Sequence, residues 1–192
     1  MIAFIGRLDP QKGLDLLRHA IFYSLERGAQ FVLLGSSPDP RINGDFWGLK
    51  RMLNDSPDCH LEIGFDEELS HLIYAGSDIM LVPSRFEPCG LTQLISLRYG
   101  AGPVVAQVGG LADTVVDADE SAPGAGTGTG IRFAPVSRGN LELAIGRAIA
   151  LWRNVESWRA LQTRAMATDV GWARPARLYA ALFRALAAQR AA

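Results

Sequence analysis

Only two cysteines, Cys59 and Cys89, occur among the 192 residues, and no CxxC pair. That excludes a disulfide framework and a thiolate zinc site, and it suits a reducing compartment. Net charge is nearly absent, at −1. No broad electrostatic surface therefore draws the chain to nucleic acid or to an anionic membrane, and any anionic ligand must be held by a few placed cations. No apolar run reaches the length of a membrane span. The opening residues, MIAFIGRLDPQKG, lack the basic region and the long apolar stretch of a signal or transit peptide and read instead as a strand. The three histidines, His19, His60 and His71, share no spacing and imply no carboxylate partner, so they are read as core or surface residues. Trp152, Trp158 and Trp172 are read as helix packing residues, and nothing specific supports a carbohydrate-stacking platform.

What is present is an alternation. Hydrophobic residues make up 48% of the chain and charged ones 20%, the profile of one globular domain with a full core. Short apolar runs at residues 2–5, 31–34, 60–63, 79–82, 103–106 and 131–133 predict six strands. Helical patterns at 14–27, 46–53, 67–74 and 91–98 lie between them, with Asp66 placed to cap the third and Gly28 and Gly100 as stops. Residues 36–44, rich in Pro, Ser, Asp and Gly, read as a loop, and residues 118–130 as a surface loop. Three further helices are expected at 141–153, 156–166 and 175–188, a tail that either packs on the sheet or reaches beyond it. Strand followed by helix, repeated, predicts an α/β fold with a Rossmann-like parallel sheet covered on both faces. With no internal repeat and no second core, residues 1–192 read as a single domain. Such sheets bind ligands at the carboxyl ends of their strands, where three motifs fall.

The first motif, Gly6 to Gly13, places Arg7 and Lys12 five residues apart on a strand-to-helix turn. Arg7 can fork onto phosphate oxygens, and Lys12 adds a compact charge at a helix start that already favours anions. The bland alternative is a solvated turn with two surface cations. In the second motif, Pro83 to Gln93, Glu87 precedes a Pro88-Cys89-Gly90 turn, and Leu91 and Thr92 open a helix. Glu87 could accept hydrogen bonds from sugar hydroxyls; otherwise it complements the helix dipole, with Cys89 a small core residue. The third, Gly109-Gly110-Leu111-Ala112-Asp113, lets backbone N–H groups face a ligand, although paired glycines also occur in ordinary turns.

In this order, the motifs resemble the C-terminal, ADP-glucose-binding domain of starch synthases and bacterial glycogen synthases. The run SRFEPCGLTQL (residues 84–94) is close to a signature of that family. The segments GRLDPQKGLDLL, SHLIYAGSDIMLVPS and GGLADTV agree with it, over residues 2–186. Residues 17–21 and 30–38 (QFVLLGSSP) look most similar to the plant and algal starch synthases III and IV. The resemblance implies half of a retaining two-domain GT-B glycosyltransferase. The N-terminal acceptor domain, with its Lys-x-Gly-Gly-Leu loop, has no counterpart here.

Carried over by position, the resemblance implies that Arg7 and Lys12 neutralise the diphosphate of ADP-glucose and that Glu87 orients the transferred glucose. It places Cys89, Gly90, Leu91 and Thr92 along the sugar and phosphate site, with Gly109, Gly110 and Leu111 on the donor loop. Phe65 would stack on adenine, and no metal or other cofactor is required. Ile95 stands where related transferases often carry a second glutamate, and Gln107 and Val108 depart from the usual basic residue and threonine. The implied partners are ADP-glucose, an α-glucan and the missing domain, in a plastid or in a bacterial cytoplasm. Two other readings stand beside it: a related transferase using a UDP- or GDP-sugar, and a non-catalytic nucleotide- or glucan-binding module.

Overall fold

The computed structural model describes residues 1–118 and 126–191. Residues 119–125, within the stretch expected as a surface loop, and Ala192 lie outside the described residues. Six strands form one parallel sheet: β1 (Ile2–Ile5), β2 (Phe31–Gly35), β3 (Cys59–Ile63), β4 (Ile79–Val82), β5 (Gly102–Ala106) and β6 (Ile131–Phe133). Their order is β3-β2-β1-β4-β5-β6. Eight α-helices are described: α1 (Leu14–Glu26), α2 (Pro40–Leu53), α3 (Glu67–Gly76), α4 (Thr92–Tyr99), α5 (Gly109–Thr114), α6 (Arg138–Arg153), α7 (Val155–Ala167) and α8 (Ala173–Ala191).

Alternation along the strands divides the interior into two cores. Ile2, Phe4, Phe31, Leu33, Ile79, Leu81 and Val104 face one way, against Leu17 and Ile21 of α1, Phe46 of α2 and Ile145 of α6. Ala3, Leu34, Met80, Val82 and Val105 face the other way, against Tyr74 of α3 and Leu111 of α5. Both faces of the central strands are covered, so β4 and β5 are buried throughout, while the edge strand β3 keeps a polar side in His60 and Glu62. The chain runs outward from β1 through β2 to β3, then returns to β4 on the opposite flank of β1. The carboxyl ends of β1 and β4 therefore form the switch point, where a crevice opens between diverging connections.

Several expectations are corrected. Helix α2 begins at Pro40, inside the segment read as loop. Asp39 accepts a hydrogen bond from the Arg41 N–H (2.8 Å) and Pro40 occupies the first turn, so that polar composition is helix-start chemistry. The paired glycines lie in the short helix α5. A 3-10 turn over Pro10–Lys12, capped by Asp9, precedes α1. Of the three tryptophans expected as helix packing residues, only Trp158 is buried, while Trp152 and Trp172 are exposed. The histidines do have partners: the tertiary fold brings His19 within 2.6 Å of Glu142 on α6 and His71 within 2.8 Å of the Tyr99 hydroxyl, while His60 lies 3.5 Å from Glu62, its neighbour on the same side of β3. The expected tail divides: α6 covers the sheet and α7 packs against α4 and β5. On α8, Leu178, Tyr179, Leu182, Phe183 and Leu186 are all exposed.

Candidate functional site

The switch point brings the first two motifs together. Strand β1 delivers Arg7 and the 3-10 turn carrying Lys12, and β4 delivers Ser84 to Glu87. The two loops are tied through their backbones: the Gln11 carbonyl accepts from the N–H groups of Arg85 (2.8 Å) and Phe86 (3.3 Å). Gly13 makes the approach possible, because at φ 72° a side chain there would strike the Pro83 carbonyl. Arg85 reinforces the tie through a 2.7 Å ion pair with Asp15 on α1. Burial pushes the Asp15 carboxyl up, but the Arg85 hydrogen bond and charge outweigh it and hold the group below the ordinary aspartate value.

At the centre, Lys12 Nζ donates to Glu87 Oε2. Glu87 is 8% exposed, and the same oxygen accepts from the Ser84 hydroxyl at 3.0 Å. This argues against the helix-dipole reading of Glu87: the residue lies five positions before α4 begins, and its charge is matched by Lys12 from the turn after β1. Lys12 is likewise more than a solvated surface cation. Arg7 is exposed, and its side chain has no hydrogen bond or ion pair among the described residues. It is therefore free to meet an anion.

Cys89 is exposed, against the alternative that made it a core residue. Gly90 adopts φ 72° in the turn, and Leu91 is exposed at the N-cap of α4. The first helical N–H with an acceptor is that of Ile95, to the Leu91 carbonyl (2.9 Å). The N–H groups of Thr92, Gln93 and Leu94 thus stand at the positive end of the helix dipole, beside the Lys12–Glu87 pair. The Thr92 hydroxyl, half-buried, donates to the Ile5 carbonyl at the carboxyl end of β1 (3.4 Å).

The third motif supports the second. Gly110 donates its N–H to the carbonyls of Glu87 (3.0 Å) and Pro88 (3.1 Å), so this group is not available to a ligand. A Cβ at Gly110 would fall 2.1 Å from the Cys89 carbonyl oxygen, and one at Gly109 2.2 Å from that of Glu87. Leu111 is fully buried and donates its N–H to Val108; it anchors α5 and does not face the crevice. Phe65 follows β3 at 88% exposure, two strands from β1, about 10 Å across the sheet. It is not part of the charged cluster.

Two side chains escaped the sequence reading although both lie in the second motif. Ser84 is fully buried behind Glu87. Gln93, also fully buried, donates its Nε2 toward the carbonyls of Cys89 (2.9 Å) and Gly90 (3.0 Å) and the Thr114 hydroxyl (3.2 Å), binding the turn to α5. The available signal was a polar side chain directly after a wholly apolar strand, or at the start of a short helix.

Comparison with known proteins identifies the family. The family model for glycosyl transferases group 1 matches residues 1–148. The chain is 58% identical over 180 residues to glycogen synthase 2 of Methylococcus capsulatus, covering 93% of this chain and 37% of that protein. It is 50% identical over 182 residues to a probable glycogen synthase 2 of Synechocystis, again 37% of that protein. The chain thus spans a little over a third of the curated relatives it matches. Among solved structures, the catalytic domain of starch synthase IV from Arabidopsis thaliana, bound to ADP and acarbose, superposes with a TM-score of 0.90. The identity is 39%, over 95% of this chain and 37% of that one. On the family model and these relatives, the chain belongs to the group 1 glycosyltransferases, as a C-terminal domain homologous to those of glycogen and starch synthases.

Proposed function

We propose that this domain is the donor-binding half of a retaining α-1,4-glucan synthase, which transfers glucose from ADP-glucose to the non-reducing end of a starch- or glycogen-type glucan. The observation that carries the reading is the Lys12–Glu87 pair at the switch point, with the unpaired Arg7 and the α4 N-terminus beside it. One carboxylate and two cations then divide the work. Arg7, Lys12 and the N–H groups of α4 meet the diphosphate and stabilise it as it departs, without a metal ion. Glu87 faces the glucose hydroxyls. Phe65 offers an aromatic face for the base, across the loops that follow β1 and β2. Attack comes from the face the diphosphate leaves, assisted by its departing oxygen, so the anomeric configuration is retained. The ADP and acarbose in the Arabidopsis starch synthase IV structure support this donor and this acceptor class. The relatives named as glycogen synthases are bacterial, which favours a bacterial cytoplasm over a plastid.

The test is Glu87→Gln in the full-length protein. The substitution keeps the shape and removes the charge. The expected result is a fall in kcat of about 100-fold or more with ADP affinity nearly intact, the pattern of an interaction made in the transition state. Normal turnover would remove the catalytic assignment.

A further inference from the structure

The Glu87 carboxylate is used asymmetrically. Oε2 accepts from both Lys12 Nζ and Ser84 Oγ, whereas Oε1 has no partner among the described residues. The two donors differ in kind. Lys12 is a compact charge on a flexible stem and can follow the carboxylate through several orientations. Ser84 is short, fully buried at the end of β4 and fixed by its backbone. An incoming diphosphate would compete for the Lys12 ammonium, and Ser84 would then be the donor still holding Oε2 in place.

We propose that Ser84 is a positioning residue. Its hydroxyl fixes the Glu87 carboxylate with Oε2 turned into the protein, so that Oε1 is presented to a hydroxyl of the sugar on the nucleotide. The inference rests on the donor-binding reading of the site and deepens it. Ser84 touches no substrate and acts only through Glu87, so its removal affects the sugar end and leaves the nucleotide end alone.

The experiment uses the full-length protein with ADP-glucose and a maltooligosaccharide acceptor. It compares Ser84→Ala, Ser84→Cys, Glu87→Gln and the double variant Ser84→Ala/Glu87→Gln. Ser84→Ala lowers kcat by about 10- to 100-fold, the cost of a misplaced reacting group, while the dissociation constant for ADP stays near the parent value and the protein stays folded at the assay temperature, the lost buried hydrogen bond lowering only its melting temperature. Ser84→Cys keeps the shape with a somewhat larger atom and has a poor donor, so it falls similarly. The double variant is no slower than Glu87→Gln alone, because a residue acting through Glu87 has nothing further to lose. Parent-like kcat in Ser84→Ala or Ser84→Cys, or a double variant slowed by the product of the single effects, overturns the proposal. Normal turnover in Glu87→Gln overturns the donor-site reading itself, and this inference with it.

Discussion

At the scale of single residues, the two cations of the first loop are not equivalent. Arg7 is exposed and unpaired, whereas Lys12 is mostly buried against Glu87. Arg7→Ala therefore removes a contact made only with ligand. ADP binds more weakly by about 1.5–3 kcal/mol, and the unfolding free energy stays within about 0.5 kcal/mol of the parent. Lys12→Ala removes a ligand contact and also leaves the Glu87 carboxylate buried without its counter-charge, close to the diphosphate. Both ADP affinity and stability fall, because stranding a buried charge costs more than an exposed pair is worth. Titration calorimetry and urea denaturation on the two variants check this, and equal stability losses would show that the burial difference has no energetic consequence. The sequence placed both cations correctly at a strand-to-helix turn. It did not reveal that one is held by Glu87, because that contact spans 75 residues and depends on β4 returning beside β1.

At the scale of elements, the three motifs form one assembly of loops. Gly110 shows how tight it is: its N–H bonds to the Glu87 and Pro88 carbonyls, and a Cβ there would fall 2.1 Å from the Cys89 oxygen. Gly110→Ala is expected to lower the unfolding free energy by more than about 2 kcal/mol, since backbone must move to admit the methyl. Gly146→Ala, on α6 with nothing near the added carbon, is expected to raise it by about 0.5–1 kcal/mol. Urea denaturation of the two variants should give opposite signs, and a mild Gly110→Ala would mean that the loops are looser than their hydrogen bonds indicate. The strands were legible because a doubly covered parallel strand reads as an apolar run, and β1, β4 and β6 match the expected bounds. The starts of α2 and α5 were missed for a common reason. Pro40 beside Asp39, and Gly109 beside Gly110, look like loop by composition, whereas a cap and a backbone contact decide the outcome. The sequence also assigned Gly110 and Leu111 to the donor, while the fold uses their N–H groups internally.

At the scale of the whole molecule, the site is one open wall along the carboxyl ends of the strands. Arg7, Phe65, Phe86 and Leu91 are all exposed along the carboxyl ends of the strands, and no described element stands opposite them. Helix α8 likewise presents Leu178, Tyr179, Leu182, Phe183 and Leu186 to solvent, a stripe at helical spacing. The chain spans 37% of the glycogen synthase relatives quoted above. Nucleotide binding and transfer place different demands on such a wall. Binding needs charge and backbone N–H groups, which Arg7, Lys12 and α4 provide on one side. Transfer also needs a glucan held within reach of the anomeric carbon and water kept away from the departing diphosphate, which one open wall cannot do. The purified 192-residue chain should therefore bind ADP measurably but weakly and transfer no glucose from ADP-glucose to maltooligosaccharides. The full-length protein should do both, with binding that weakens in Arg7→Ala. Glucan elongation by the 192-residue chain would overturn the one-wall reading of the site. Failure of a folded chain to bind ADP at any concentration would overturn the assignment of the nucleotide site to the β1–β4 switch point.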